Sequence, residues 1–219
     1  MLGVMAKSRT PFSTFFIPLT LCVSILFSSH ITAKASSYSR RISPASVGFH
    51  EEKLSHLHFY FHDIVIGPNR TSVTVAEPLK GKSNSSLPFG TVVTIENQLT
   101  VGPEPESESV GKAQGLYVSS SREGPEMEAG LTMAMTFAFT EGKYKGSSLS
   151  VLGRNVINYP VREMPILGGT GDFRFARGFA QAKTHAFDHT TGDAIEEYDV
   201  FVFHYLPSTS PSVNFHQEL

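Results

Sequence analysis

"LTMAMTFAFT", Leu131 to Thr140, alternates Leu131, Met133, Met135, Phe137 and Phe139 with Thr132, Ala134, Thr136, Ala138 and Thr140. A period of two places every large side chain on one face, which is the signature of a strand with one face in a core. The same pattern recurs outward from it in both directions. "LHFYFHDIV" sets Leu57, Phe59, Phe61, Asp63 and Val65 on one face and His58, Tyr60, His62 and Ile64 on the other. Further strands are expected at Thr91–Thr100, Lys112–Ser119, Ser147–Leu152, Phe173–Phe187 and Ala194–Tyr205, separated by Gly, Pro, Asn and Ser. "NVINYPVREMPI", residues 155–166, carries two prolines and reads as a long connection. No amphipathic helix and no internal repeat stands out. The pattern is all-β, a sandwich or a barrel, and closure into a barrel removes exposed edges and leaves an interior that holds one small ligand. "YDVFVFHY" is apolar on both faces, as expected of a strand with one face in the barrel and the other against a neighbouring subunit.

The chain of 219 residues is long enough for one domain with processed or flexible ends. Lys7 and Arg9 precede the apolar run "FSTFFIPLTLCVSILF", and "AKA" at Ala33 to Ala35 has the small-x-small form of a cleavage site. Residues 1–35 therefore read as a secretory signal peptide. The run contains Pro18 and falls short of the roughly 20 apolar residues of a membrane span. Residues 36–52 form a polar extension, 53–206 the β domain and 207–219 a tail. The only cysteine, Cys22, lies in the leader, so a mature chain has no disulfide. The triplets at Asn69 ("NRT") and Asn84 ("NSS") are candidate glycosylation sites in polar, turn-rich surroundings. Without Lys7, Arg9 and Lys34, fifteen basic residues face twenty acidic ones, a formal charge of −5 with no basic stripe, which argues against nucleic acid as a partner.

Among chemical groups, "GGTGDFRFARG", Gly168 to Gly178, lacks the Gly-Lys-Ser/Thr ending and the following helix of a phosphate loop. Its glycines suit a bulged turn that lets backbone pass close to something. Asp172 and Arg177 lie five residues apart, so strict alternation sends them to opposite faces unless Asp172 sits in the loop. Asp63 is a carboxylate on an apolar face: either an acid with a raised pKa or a structural group bonded to a tyrosine or the backbone. His56, His58 and His62 share one strand face, opposite Asp63, without a further ligand set, so no metal is expected. No nucleophile turn marks a Ser-His-Asp arrangement.

Five ordered blocks, "LHFYFHDIV", "VGKAQGLYV", "FAFTEGKYKGSSLSVLGRN", "REMPILGGTGDFRFARGFAQAKT" and "GDAIEEYDVFVFHY", resemble the plant dirigent proteins from about Lys53 to Leu206. The resemblance implies an eight-stranded antiparallel β-barrel, assembled as a trimer and secreted to the apoplast, with no cofactor. It implies that the protein directs stereoselective coupling of phenoxy radicals, made from coniferyl-alcohol-type monolignols by a separate laccase or peroxidase, to lignan-type products. The alternative within the family is a cofactor-free enzyme that eliminates water from an isoflavanol-type phenol to close a pterocarpan ring. A carbohydrate-binding wall protein is the reading outside it. On the family's motifs, Asp63, Asp172 and Arg177 are the expected catalytic groups and Tyr117 a pocket group, with Phe59, Phe61, Met133 and Phe137 shaping the cavity. No intrinsic oxidase activity is expected, nor membrane attachment once the signal is cleaved.

Overall fold

The computed structural model describes residues 39, 41–78, 87–122 and 130–205. Among these residues, nine strands make one antiparallel sheet: β1 (Glu52–Asp63), β2 (Ser72–Ala76), β3 (Val92–Thr100), β4 (Ser109–Ser119), β5 (Gly130–Phe139), β6 (Ser148–Val156), β7 (Arg162–Thr170), β8 (Arg177–Phe187) and β9 (Ala194–Tyr205). Their order is β1-β9-β8-β7-β6-β5-β4-β3-β2, and β1 also pairs with β3, which closes eight strands into a barrel with β2 as an extra strand. β1 and β2 share the free edge of β3: β1 takes Gln98 to Thr100 and β2 takes Val92 to Ile95.

Alternation sorts the side chains as the sequence predicts. Leu57, Phe59, Phe61, Met133, Met135, Phe137, Tyr198, Val200 and Val202 are buried inside the barrel. The middle is solid with aromatic rings: Phe59 meets Phe137 at 5.1 Å, edge to face, and stacks with Tyr198 at 5.9 Å. Such ring pairs add about 0.5–1.5 kcal/mol each beyond their buried area. A barrel of eight strands is just wide enough to be filled in this way. The close approach of β4 to β5 requires Gly115, whose φ is +153° and where a Cβ would lie 2.2 Å from the carbonyl oxygen of Ala134 on β5.

Three expectations shift. Residues 155–166 are not a long connection: β6 runs to Val156 and β7 starts at Arg162, leaving only residues 157–161 between them. The prolines misled because Pro160 is in that turn while Pro165 is inside β7, whose ladder with β6 begins only at Ile166, so no rung breaks there. The strand expected from Phe173 starts instead at Arg177; Gly171–Phe173 is a single 3-10 turn. β2 was not foreseen. Before β1, Ser43 caps a 3-10 turn over Pro44–Val47, and Phe49 then packs on Phe175 and Tyr205, both at 5.1 Å. Residues 1–35, the tail 207–219 and Asn84 lie outside the described residues.

Candidate active site

Asp63 is the last residue of β1, at one rim of the barrel, with its side chain turned inward to accept a hydrogen bond from the Ser72 hydroxyl. Burial raises its pKa above the usual carboxylate range. The bonding of Ser72 and the nearby Asn97 amide oppose that rise, and the charge of Asp193 adds to it. Tyr117 stands on the far side of Ser72. Burial, then the charge of Asp63, push its phenol pKa up, so it stays protonated.

A second charged group completes this mouth. Glu196 on β9 faces inward, directly opposite Phe61 on β1. It accepts hydrogen bonds from Arg162 on β7 and from Thr184 on β8, the latter at 3.1 Å. Arg162 also donates to the Thr184 hydroxyl at 2.8 Å and to the Ile157 carbonyl at 3.2 Å. The Arg162 side chain is 2% exposed and that of Glu196 18%. Burial raises the pKa of Glu196 despite the pull of Arg162, and Asp63 raises it further. The buried side-chain atoms that lack a protein partner among the described residues, on Thr91, Asn97, Asn155 and Arg162, belong to strands at this end or the turn leading into it. An unmet buried polar group costs about 1–3 kcal/mol.

The other expected groups are elsewhere. Asp172 lies in the 3-10 turn at the opposite end, where its backbone carbonyl accepts from His204 Nδ1 at 2.9 Å and its N–H donates to Ser147. His204 pairs in register with Lys53, ten residues from Asp63 along β1. Arg177 points outward: its guanidinium holds the Glu52 carboxylate with both terminal nitrogens and covers the Phe203 ring at 5.1 Å. Glu52 and Asp63 are the two ends of β1, about 36 Å apart along the strand. Asp172 and Arg177 therefore do not share a pocket with Asp63. "GGTGDF" is a plug: Phe173 is buried against Tyr144 (4.7 Å) and His204 (4.9 Å), and Gly171, at φ +60°, leaves no room for a Cβ beside Ser147 Oγ, 2.5 Å away.

Of the cavity residues, Phe61, Met133 and Tyr117 are on the Asp63 side, with Met133 and Tyr117 paired across β4 and β5. Phe59 and Phe137 form the floor beneath them. Outside the barrel wall, His56 bonds Asp199 and His58 bonds Glu197, each at 2.8 Å, and His62 bonds Thr100 at 2.7 Å. A cleft of about 440 Å³ flanks the same rim, lined by His62, Gln98, Pro105, Phe187, Asp193 and Ile195 among others. Asn69 is exposed in the turn between β1 and β2.

The model of the family described as Dirigent-like protein matches residues 54–203. The chain belongs to the dirigent family. This dirigent chain is 58% identical to pterocarpan synthase 1 of Glycyrrhiza echinata, over 92% of its own length and all of the relative's. It is 57% identical to pterocarpan synthase 1 of Glycine max, over 88% and 98%, and 46% identical to dirigent protein 21 of Arabidopsis thaliana, over 85% and 95%. The solved structure of a pterocarpan synthase dirigent protein superposes with a TM-score of 0.69 at 60% identity, covering 77% of this chain and 100% of that one.

Arg162, Glu196, Thr184, Ser72 and Asn97 were not anticipated as site residues. For Glu196 a signal was present: it shares parity with Tyr198, Val200 and Val202, the same carboxylate-on-an-apolar-face rule that marks Asp63. Arg162 was hidden in the stretch read as a connection.

Proposed function

We propose that this dirigent protein is a cofactor-free dehydratase of the pterocarpan synthase type, acting on an isoflavanol-type phenol, rather than a director of monolignol radical coupling. The observation that carries the reading is Asp63, a carboxyl at the barrel rim whose pKa is raised by burial, in a chain whose relatives at 57–58% identity are named pterocarpan synthases. Loss of a benzylic hydroxyl as water requires a proton. Asp63 supplies it, as a buried carboxylic acid with a pKa moved toward neutrality does best. The cation left behind is stabilised by its own electron-rich ring, and a phenolic hydroxyl on the pendant ring forms the new C–O bond and gives up its proton. One molecule of water leaves and no electron is transferred, so no oxidase partner is needed. Arg162 and the neutral Tyr117 orient the substrate's oxygens, while the ring stack of Phe59 and Phe137 sets how deep it enters.

The test offers purified protein an isoflavanol with a free pendant phenol and no oxidant, and resolves the product on a chiral column. Ring-closed product of one hand supports the reading. Absence of it, together with an optically active lignan from coniferyl alcohol and a one-electron oxidant, overturns it. Secretion through residues 1–35, a glycan on Asn69 and a homotrimer are parts of the same proposal; among the described residues no helix is long and apolar enough to cross a membrane. An intact Met1 on protein from cell-wall fluid refutes the first. Light scattering of the glycosylated protein decides the last.

A further inference from the structure

The ring closure moves two protons, one to the departing hydroxyl and one from the attacking phenol, and the mouth holds two inward carboxylates. Asp63 pairs with Ala194 and Phe61 with Glu196. Asp63 and Glu196 are therefore diagonal neighbours on the same face of adjacent strands, about 7 Å apart at Cα. Their environments differ. Asp63 receives a neutral hydroxyl from Ser72, whereas Glu196 receives the Arg162 guanidinium and the Thr184 hydroxyl.

We infer that Glu196 is the base of the reaction, paired with Asp63 as the acid, and that Arg162 is its positioning residue. The inference rests on the dehydratase reading above. Protonated Asp63 gives its proton to the benzylic hydroxyl, whose C–O bond breaks to release water. Ionised Glu196 removes the proton from the pendant phenol as its oxygen bonds to the cationic carbon. Glu196 is then protonated and Asp63 ionised, and transfer of that proton from one carboxyl to the other resets the site. Atoms balance with the loss of one water. The division of labour rests on the bonding partners: the Arg162 guanidinium on Glu196 favours its anion, whereas Asp63 meets only the neutral Ser72 hydroxyl, so the shared proton is assigned to Asp63. Burial that lifts Glu196 above the ordinary glutamate range makes it a stronger base.

The experiment measures kcat/KM against pH for the wild type, Glu196→Gln, Glu196→Asp and Asp63→Asn, with the melting temperature of each. Glutamine keeps the size of the side chain and an oxygen for Arg162 and Thr184. The expected result is a bell-shaped wild-type profile whose acid limb disappears in Glu196→Gln, with a loss of about 100- to 10,000-fold. The alkaline limb disappears in Asp63→Asn, and Glu196→Asp recovers part of the lost rate. A Glu196→Gln protein that keeps both limbs and its rate, or that loses rate only in step with a lowered melting temperature, overturns the assignment while the wild type still turns over. A wild type inactive on the isoflavanol overturns the reading of function and this inference together.

Discussion

Replacing Asp63 with Asn separates an acid from a structural aspartate, because the two roles predict opposite signs in stability. Asn keeps the volume and an oxygen for the Ser72 hydroxyl, so the rim should fold unchanged. What it removes is a group whose pKa is raised in the folded state, first by burial. For a carboxyl, that sign means folding is penalised once the group ionises. The wild type loses stability relative to the mutant as pH rises from the ordinary aspartate range, about 3.9, through the higher folded pKa. Asp63→Asn should therefore melt with the wild type at low pH and at an equal or higher temperature at pH 7. Turnover should fall about 100- to 10,000-fold, or about 2.7–5.4 kcal/mol of barrier at 1.36 kcal/mol per decade. The assay pairs thermal melts across pH with chiral product analysis. A mutant that is stable and undiminished in turnover removes Asp63 from the mechanism, and one that melts lower at every pH, with activity lost in proportion, makes it a structural group.

Arg162→Leu leaves Glu196 buried without its cation and should cost about 3–5 kcal/mol in urea unfolding; a change below 1 kcal/mol refutes the pairing. Arg177→Ala, at the other end of β1 and on the outer face, should leave turnover and product handedness unchanged, and a tenfold fall would return Arg177 to the site. Gly171→Ala forces a side chain into a left-handed turn against Ser147 and should destabilise by about 1–3 kcal/mol without altering the pH profile. Burial lowers the pKa of His62 and His204, so the unfolded chain takes up protons first as pH falls below about 6.5. Stability should decline across that interval, and the decline should shrink in His204→Gln; an equal decline clears His204.

The fold was legible because its pattern is local. Period-two alternation in β5 and β1 fixes which side chains face inward, and short turns leave few ways to connect the strands. β7 was lost because Pro165 ordinarily argues against a strand, and only the staggered start of the β6–β7 ladder makes it harmless. The site was half legible. Asp63 announces itself as a charge on an apolar face, whereas Tyr117 came only from the family's Ala-Gln-Gly-x-Tyr motif. Which end of the barrel a residue occupies depends on register between strands far apart in sequence, and no local pattern reports it. Asp172 and Arg177 share a glycine-rich motif that looks like a pocket wall, yet register carries them to the mouth away from Asp63. Glu196 and Arg162, 34 residues apart in sequence, meet across β8, which lies between β7 and β9.

β1 is joined to β9 along its whole length but to β3 at only three positions, Tyr60 to His62. In mechanical terms the barrel is a hoop with one short weld, and the weld lies directly before Asp63. Local opening is cheapest where the fewest hydrogen bonds must break, so amide exchange should be faster at Gln98 to Thr100 than in the β4–β5 ladder. Opening of that seam would widen the rim beside the acid while the aromatic floor at Phe59, the residue just before it, stays packed, so rigidity and access belong to adjoining stretches of the same strand.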